Sequence, residues 1–317
     1  MINPLYPPPL KKGDTLGIFA PAGRLDDSTR LTRGVGILRE MGFAVKFPGQ
    51  FWPGAEYLAD TDENRGDEFN RLLRDPDIKA LIALRGGYGC IRMIDKIDLS
   101  LVAGKPKLIV GFSDITILQN YLYAKTGLVS LHGPVAASLG DASRMALERL
   151  SHCLTGKWSQ AIQAGDIKIL RKGPKVTAPL VGGNLASLLS LLGTGYDFCW
   201  DNKIIFLEDI NEPAYRIDRM LTQLKLAGKL DNIAGLILGD FSIANCPQGE
   251  GNTRYLEKIW TRAVELCGRR SIPIWGNFPS GHCSHNLTWP LGAVAEMDHE
   301  KSQLSFSPAS PAGGYAV

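Results

Sequence analysis

The stretch Leu108-Ile-Val-Gly-Phe-Ser-Asp-Ile-Thr116 runs from an apolar strand directly into a helix, and it decides the fold that the sequence predicts. Apolar residues fill positions 108–110, and beyond the turn Ile115, Leu118 and Leu122 recur at helical spacing. Similar pairs of a short β-rich run and a helical pattern precede this stretch along the chain. Such alternation is typical of a parallel, doubly wound sheet. The sequence therefore predicts an α/β fold.

The alternation stops near the middle of the chain and divides it in two. In the first half, strands are expected at 16–20, 43–47, 80–84 and 108–110, and helices at 28–41, 63–74 and from 114. Polar residues and the turn Lys172-Gly-Pro174 then predict a linker. The second half predicts mixed strands (204–207, 235–238) and helices (185–192, 214–227, 256–267). We expect a first domain over 1–155, a linker over 156–175 and a second domain over 176–317.

The composition is that of an ordinary globular chain. Lys and Arg number 35 and Asp and Glu 32, so the formal charge is 35 − 32 = +3, with 44% hydrophobic and 21% charged residues. These values exclude a disordered or fibrous chain, and so weak a charge provides no broad field for nucleic acid. No apolar stretch approaches the roughly 18 residues of a membrane helix, and Pro7-Pro-Pro9 stands where a signal peptide would carry an apolar core. We expect a cytoplasmic chain without nucleic-acid or membrane partners.

The cysteines and histidines do not predict a metal site. The six cysteines lie far apart and form no C-x-x-C pair, which indicates mostly buried apolar thiols. His282 and His285 stand at i and i+3 in a loop crowded with turn formers, where function concentrates. No H-E-x-x-H pattern or third ligand accompanies them, so we expect no bound metal.

Ser113 occupies the position where a catalytic hydroxyl would lie in such a sheet. It stands between a strand and a helix, and open α/β sheets bind ligands at the carboxyl ends of their strands. The turn resembles a nucleophile elbow in its mechanics, although Asp114 and Thr116 depart from the G-x-S-x-G pattern. A serine before an aspartate at a helix start is also a common N-cap. From this segment alone, the N-cap is the favoured interpretation.

A glycine-rich turn, Leu84-Arg-Gly-Gly-Tyr-Gly89, follows another expected strand. Two adjacent glycines let backbone N–H groups face a ligand without obstruction by Cβ atoms, which suits an oxyanion or a phosphate. The turn lacks both the G-x-G-x-x-G spacing and the lysine of a P-loop, so it does not favour a nucleotide. A plain tight turn explains the glycines equally well.

Glu208 is the acidic candidate, because it ends the apolar run 204–207. A carboxylate at the end of a buried strand is costly unless it is paired. A histidine partner would satisfy it and fix the tautomer of the imidazole. The alternative is a helix-capping acidic cluster that includes Asp209 and Glu212, near the helix that follows Pro213.

Seven motifs occur in one order along nearly the whole chain. They are Gly13-Asp-Thr-Leu-Gly-Ile-Phe-Ala-Pro-Ala-Gly23, Arg85-Gly-Gly-Tyr-Gly89, Gly111-Phe-Ser-Asp-Ile-Thr116, His132-Gly-Pro134, Gly182-Gly-Asn-Leu185, Leu207-Glu-Asp-Ile-Asn-Glu212, and Gly281-His282 with Pro290-Leu-Gly292. Each alone is weak, but together they resemble the LD-carboxypeptidase family of serine peptidases (peptidase family S66). That family includes muramoyltetrapeptide carboxypeptidases and microcin C immunity peptidases.

The resemblance implies a catalytic triad with residues from both domains. The serine of the G-x-S-D motif corresponds to Ser113, and the first acidic residue of the L-E-D motif corresponds to Glu208. The histidine that follows the glycine before the P-x-G segment corresponds to His282 and not to His285. The oxyanion hole would use backbone N–H groups of Asp114 and of the turn formed by Gly86 and Gly87.

The resemblance also implies a flavodoxin-like N-terminal domain, a smaller swivelling β/α C-terminal domain and a homodimer, with no cofactor and no metal. The implied reaction is hydrolysis of the bond between an L-centre and a C-terminal D-amino acid. A murein tetrapeptide would lose its terminal D-Ala during peptidoglycan recycling in the cytoplasm. Arg85 and Tyr88 are candidates for substrate binding, and Arg85 or another nearby cation would hold the substrate carboxylate.

Two rival functions remain at this point. A microcin-C-type immunity peptidase would use the same triad on an aminoacyl-nucleotide analogue, with Tyr88, Trp200 or Trp275 as stacking platforms, although core packing is favoured for each. The segment between Ser113 and Glu208 carries no obvious aromatic insertion, which favours murein peptides. A non-catalytic binding module on the same scaffold is the rival from another class, and an FMN-binding flavodoxin is less favoured still.

Overall fold

The computed structural model describes residues 2–47, 52–163, 166–243 and 250–308. The described residues form two compact units. Among the described residues, the first comprises 2–158, 284–292 and 308, and the second comprises 159–283 and 293–307. No helix among the described residues is long and apolar enough to cross a membrane.

The first unit alternates strands and helices along the chain. Up to Trp158 its strands are β1 (Thr15–Phe19), β2 (Ala44–Lys46), β3 (Ile78–Ala83), β4 (Leu108–Gly111) and β5 (Ser130–His132). Its helices are α1 (Ser28–Glu40), α2 (Asp62–Arg74), α3 (Cys90–Met93), α4 (Leu99–Gly104), α5 (Ile115–Thr126) and α6 (Arg144–Leu154), with short 3-10 turns at Ile94–Lys96 and Ala136–Asp141.

From residue 159 the chain is richer in strands. The strands are β6 (Ile162–Gln163), β7 (Lys168–Arg171), β8 (Val176–Asn184), β9 (Ile204–Ile210), β10 (Gly235–Ser242), β11 (Ile274–Gly276), β12 (Trp289–Leu291), β13 (Val294–Asp298) and β14 (Gln303–Phe306). The helices are α7 (Leu185–Leu189), α8 (Ala214–Leu226) and α9 (Glu250–Leu266).

The sheet of the first unit has the order β12-β5-β4-β3-β1-β2. Strands β1 to β5 pair in parallel, in the flavodoxin-like order 2-1-3-4-5. Strand β12 joins the edge antiparallel to β5. Because β3 and β4 are adjacent and parallel, the turns that follow them, which carry Gly86 and Ser113, leave the sheet at the same edge. The α/β prediction with a flavodoxin-like first domain is confirmed.

The sheet of the second unit has the order β6-β14-β13-β8-β9-β10-β11-β7. Strands β8 to β11 are parallel, and the outer pairings are antiparallel. This mixed sheet agrees with the expected second domain. Strand β9 is buried along six of its seven residues and carries Glu208, which pairs in register with Asn184 of β8.

The observed division of the chain differs from the expected one in two places. Residues expected as a linker contribute β6 and β7 to the second sheet. Residues 284–292 belong to the first unit, because Trp289 of β12 pairs with His132 of β5. Such non-local pairing leaves no local signal in the sequence. Helix α7 also ends at Leu189, short of the expected residue 192, and α9 begins six residues before the expected residue 256.

Candidate active site

Ser113 follows β4 in a strained backbone conformation. Its φ is +63°, in the left-handed region, which costs a residue with a Cβ about 1–2 kcal/mol. The N-cap of α5 is Asp114, which makes no side-chain capping hydrogen bond. Ser113 is therefore not the N-cap, and the interpretation that its segment favours is wrong. Strain at a strand-to-helix turn is the mark of a nucleophile elbow, in which the chain presents a hydroxyl above the sheet edge.

The glycine turn after β3 lies directly against Ser113. A Cβ added at Gly86 would stand 2.8 Å from Ser113 Cβ and 2.9 Å from its Oγ, closer than real Cβ contacts come. The carbonyl of Gly86 accepts a hydrogen bond from Gly23 N at 3.2 Å, so the turn is fixed from its other side. Gly87 has φ +116°, a conformation that L-residues rarely adopt. Backbone thus approaches the hydroxyl as an oxyanion hole requires.

Arg85 and Tyr88, the candidates for substrate binding, flank this turn. Arg85 Nη1 donates to the carbonyl of Arg24 at 2.7 Å, and its side chain remains 37% exposed. Tyr88 is 47% exposed and its ring lies 5.9 Å from that of Tyr57. Tyr88 is therefore not packed in the core, contrary to expectation. Both side chains are thus partly exposed and belong to the turn whose Gly86 lies against Ser113.

Two other aromatic residues considered as stacking platforms are buried. Trp200 and Trp275 are 3% and 0% exposed, so they pack in the core as expected. Of the cysteines, Cys90, Cys153 and Cys267 are buried, Cys199 is exposed and Cys283 is half-buried, while Cys246 lies outside the described residues. Within the described ranges, no group of three His, Cys, Asp or Glu side chains is arranged to hold a metal ion.

Glu208 and His282 form a hydrogen-bonded pair in the second unit. His282 Nδ1 lies 2.6 Å from Glu208 Oε2, and the Glu208 side chain is fully buried. An ionised carboxylate can only accept, so Nδ1 carries the proton and Nε2 is the basic nitrogen of the neutral ring. Glu208 Oε1 has no hydrogen-bond partner among the described residues. The His282 imidazole is therefore the group that offsets the cost of burying this carboxylate. The pair has the geometry of an oriented general base.

The charges around His282 favour its protonated form. Burial of the ring opposes protonation, but the charge and hydrogen bond of Glu208, with help from Asp209 and Asp240, outweigh it and raise the pKa of His282. Burial and the charge of Glu208 in turn raise the pKa of Asp209 to about 6. Burial is also the main cause that raises the pKa of Asp240. The imidazolium formed during proton transfer is thus stabilised.

The loop before His282 brings it close to Glu208. Gly281 has φ +128°, and a Cβ there would lie 3.0 Å from Glu208 Oε2. A larger residue would therefore push the loop away from the carboxylate. His285 does not share this partner: its Nδ1 lies 3.1 Å from Ser284 Oγ, on the exposed side of the loop. Of these two histidines, His282 is the one that contacts Glu208.

Comparison with known proteins decides the family. The model of the LD-carboxypeptidase N-terminal domain matches residues 16–133, and that of the C-terminal domain matches residues 177–297. This chain belongs to the LD-carboxypeptidase family. It is a carboxypeptidase of that family, and the resemblance drawn from the seven motifs is confirmed.

Relatives of this chain include proteins named as murein peptide carboxypeptidases and a protein named for self-immunity to microcin C7. A Bacillus subtilis protein named probable murein peptide carboxypeptidase is 36% identical, covering 92% of this chain and 91% of its own. The microcin C7 self-immunity protein MccF of Escherichia coli is 29% identical, covering 96% of each chain. The crystal structure of muramoyltetrapeptide carboxypeptidase from Oxalobacter formigenes matches with a TM-score of 0.77 at 30% identity, covering 92% of this chain and 97% of that one.

Two charged residues that the sequence did not single out, the half-buried Asp240 and the buried Arg65, lie among the elements that carry the candidate residues. Asp240 lies in β10, next to the strand of Glu208, and ends an apolar run as Glu208 does. Arg65 is 1% exposed in α2, on the same helical face as the buried Phe69 and Leu72. A charged residue at i, i+4, i+7 spacing with apolar ones is the signal that would have found Arg65.

A methyl group at position 86 tests the contact between the glycine turn and the serine. In Gly86→Ala the new Cβ meets Ser113 Cβ, so the turn must move, and loss of one oxyanion donor costs about 10²–10³ in kcat. We expect a loss of that size, measured by steady-state carboxypeptidase assay, with cooperative unfolding retained. Gly36→Ala in α1 is the matched control, because apart from its chain neighbours and the backbone of its own helix no described atom lies within 4 Å of its added Cβ. Equal activity of the two variants would contradict the assignment.

Proposed function

We propose that this chain is a serine-type LD-carboxypeptidase that releases a C-terminal D-amino acid from a peptide by hydrolysing its bond to an L-centre. The observation that carries the proposal is the 2.6 Å pairing of His282 Nδ1 with the buried carboxylate of Glu208. The left-handed conformation of Ser113 and its contact with Gly86 support it. A non-catalytic binding module would not explain why one chain carries a strained serine, an oriented base and a glycine turn.

The first half of the reaction acylates the serine. His282 Nε2 takes the proton of the Ser113 hydroxyl as Oγ attacks the scissile carbonyl, and the new Oγ–C bond produces a tetrahedral oxyanion. Glu208 holds the ring and stabilises its cation. The oxyanion accepts one hydrogen bond from the backbone N–H of Asp114, at the start of α5, and another from a backbone N–H of the turn formed by Gly86 and Gly87. The proposal requires the serine and imidazole to approach within about 3 Å in the working enzyme.

The second half releases both products. Collapse of the tetrahedral species breaks the C–N bond, and the proton on His282 passes to the amine of the departing D-amino acid. A water molecule then gives its proton to His282 and attacks the acyl-enzyme. Its oxygen forms the new C–O bond of a second tetrahedral species. Collapse of that species breaks the C–Oγ bond, the proton on His282 returns to Ser113 Oγ, and the carboxyl product leaves. Acid, base and nucleophile are all side chains of this protein, so the proposed reaction balances without a cofactor.

The proposed triad takes Ser113 from the first unit and Glu208 and His282 from the second. The first unit resumes at Ser284, two residues after His282, and Ser143 N donates to the Ser284 carbonyl at 2.8 Å. We further propose that Arg85 receives the substrate carboxylate and that Tyr88 contacts the peptide, because both are partly exposed and belong to the glycine turn. We also propose that the protein is a cytoplasmic homodimer and that it acts on murein tetrapeptides in peptidoglycan recycling.

A microcin-type substrate is the second candidate, favoured by the similarity to MccF along 96% of both chains. The experiment compares turnover of a murein tetrapeptide ending in D-Ala, the same peptide ending in L-Ala, and an aminoacyl sulfamoyl adenosine. We expect release of D-Ala with kcat/KM at least 10²-fold above the other two. Preference for the nucleotide analogue would favour the second candidate. No turnover of any of the three by folded protein would overturn the proposed function.

A further inference from the structure

One peptide group, which joins Gly89 to Cys90, is held on both sides by buried ionic side chains. The carbonyl of Gly89 accepts from Arg65 Nη1 at 3.0 Å, and the N–H of Cys90 donates to Asp114 Oδ2 at 2.8 Å. We call Arg65, Asp114 and this peptide group the peptide clamp. It stands at the end of the glycine turn and at the residue that follows Ser113. It therefore links the two loops whose spacing the proposed oxyanion hole requires.

Arg65 extends the clamp to neighbouring loops. Its side chain is fully buried, and Nη1 also donates to the carbonyl of Pro21, in the turn after β1. Its Nε donates to the carbonyl of Asp60 at 3.2 Å, and Nη2 pairs with Asp62 at the start of α2. One guanidinium thus binds carbonyls from three loops. The planar fork of arginine suits this arrangement, whereas the point charge of lysine does not.

The other half of the clamp is equally enclosed. Asp114 is 2% exposed, and burial raises its pKa although the hydrogen bonds of Cys90 and the charge of Arg65 act in the opposite direction. Burying two opposite charges is costly, and a well-packed apolar pair often stabilises a core as well or better. The two charged side chains provide directional contacts here, because each hydrogen bond is made to a defined atom of one peptide group.

We propose that Arg65 and Asp114 are positioning residues that hold the turn of Gly86 and Gly87 against Ser113, so that the backbone donors on the two loops keep their spacing. Neither side chain touches the substrate in this proposal. Its kinetic consequence rests on the proposed function, whereas its structural consequence does not. A displacement of about 1 Å at such a site can cost about 10² in rate, so a small shift of the turn is sufficient.

The test combines kinetics with amide hydrogen exchange across residues 85–90. Asp114→Ala removes the acceptor for Cys90 N–H, and we expect at least tenfold faster exchange of these amides and a 10–100-fold lower kcat, with KM changed less than twofold. Asp114→Asn keeps an acceptor oxygen, and we expect it to retain most of the protection from exchange and most of the kcat of the unaltered protein. Arg65→Lys keeps the charge but not the fork, and is expected to lower kcat about tenfold. Controls are Asp67→Asn and Arg71→Lys, exposed residues of α2 that lie outside the clamp.

The outcomes separate the clamp from the proposed function. Unchanged exchange in folded Asp114→Ala overturns the clamp, and so does a loss of activity that appears in KM in place of kcat. Should Asp114→Ala fail to fold, Arg65→Lys decides in the same way by its own exchange and kcat. Absence of turnover in the unaltered protein overturns the proposed function alone, since the exchange measurement still shows whether the clamp holds the turn.

Discussion

Replacing Ser113 with alanine is expected to abolish turnover, with kcat lowered by about 10⁶. That is the loss found when a serine hydrolase loses its nucleophile and retains only its oxyanion hole and substrate binding. The alanine keeps the Cβ and the left-handed backbone of Ser113, so the fold should be retained and the melting temperature should change by no more than about 2 °C. Activity on a D-Ala-terminated peptide and thermal unfolding are measured on the same preparation.

A second measurement identifies the nucleophile directly. A fluorophosphonate should label the unaltered protein at the peptide that contains Ser113 and leave Ser113→Ala unlabelled. Ser190→Ala is the matched control, an exposed serine of the second unit whose hydroxyl donates to the Ser187 carbonyl, and it should retain both labelling and turnover. Retention of more than about 1% of the activity by folded Ser113→Ala would exclude this serine as the nucleophile.

Four strands of the first sheet, β1 to β4, were predictable because their signals are local. Strands β1, β3 and β4 are short apolar runs, and the helix after β4 repeats apolar residues at its own period, as in 108–116. Strand β5, Ser130–His132, is not such a run and was not predicted. The return of residues 284–292 to the first unit was not predictable, since it depends on the pairing of Trp289 with His132, more than 150 positions away. The strands β6 and β7 are two and four residues long and give no periodic signal.

The candidate site, like the fold, was predictable only in part. The position of Glu208 at the end of an apolar run indicated a buried carboxylate in need of a partner, and His282 is that partner in the structure. The identity of Ser113 as an elbow residue was not decided by its own segment, because a sequence does not show the sign of φ. The spacing of Arg65 with Phe69 and Leu72 indicates that Arg65 is buried, but not what it binds. Its hydrogen bond to Gly89, and that of the Asp114 side chain to Cys90, depend on the folded chain.

Glu208→Gln is expected to lower kcat by about 10³–10⁴ while the protein stays folded. The amide can present an N–H to His282 Nδ1 where the carboxylate only accepts, which favours the tautomer that carries its proton on Nε2. A histidine protonated there cannot take the proton of Ser113, and the corresponding change in another triad costs about 10⁴. Glutamine has nearly the same volume and carries no charge to bury, so stability should not fall. Glu257→Gln, at an exposed position of α9, is the control and should leave kcat unchanged.

The pH dependence of kcat/KM gives this variant a second signature. In the unaltered enzyme the negative charge of Glu208 contributes to the raised pKa of His282, so the base is lost by protonation as the pH falls through a value above the ordinary 6.5. Removing that charge lowers the pKa of His282, because desolvation of the ring then acts with less opposition. The acid limb of the residual activity should therefore move to lower pH in Glu208→Gln. An acid limb that stays in place, or moves upward, would show that Glu208 does not act on the catalytic base.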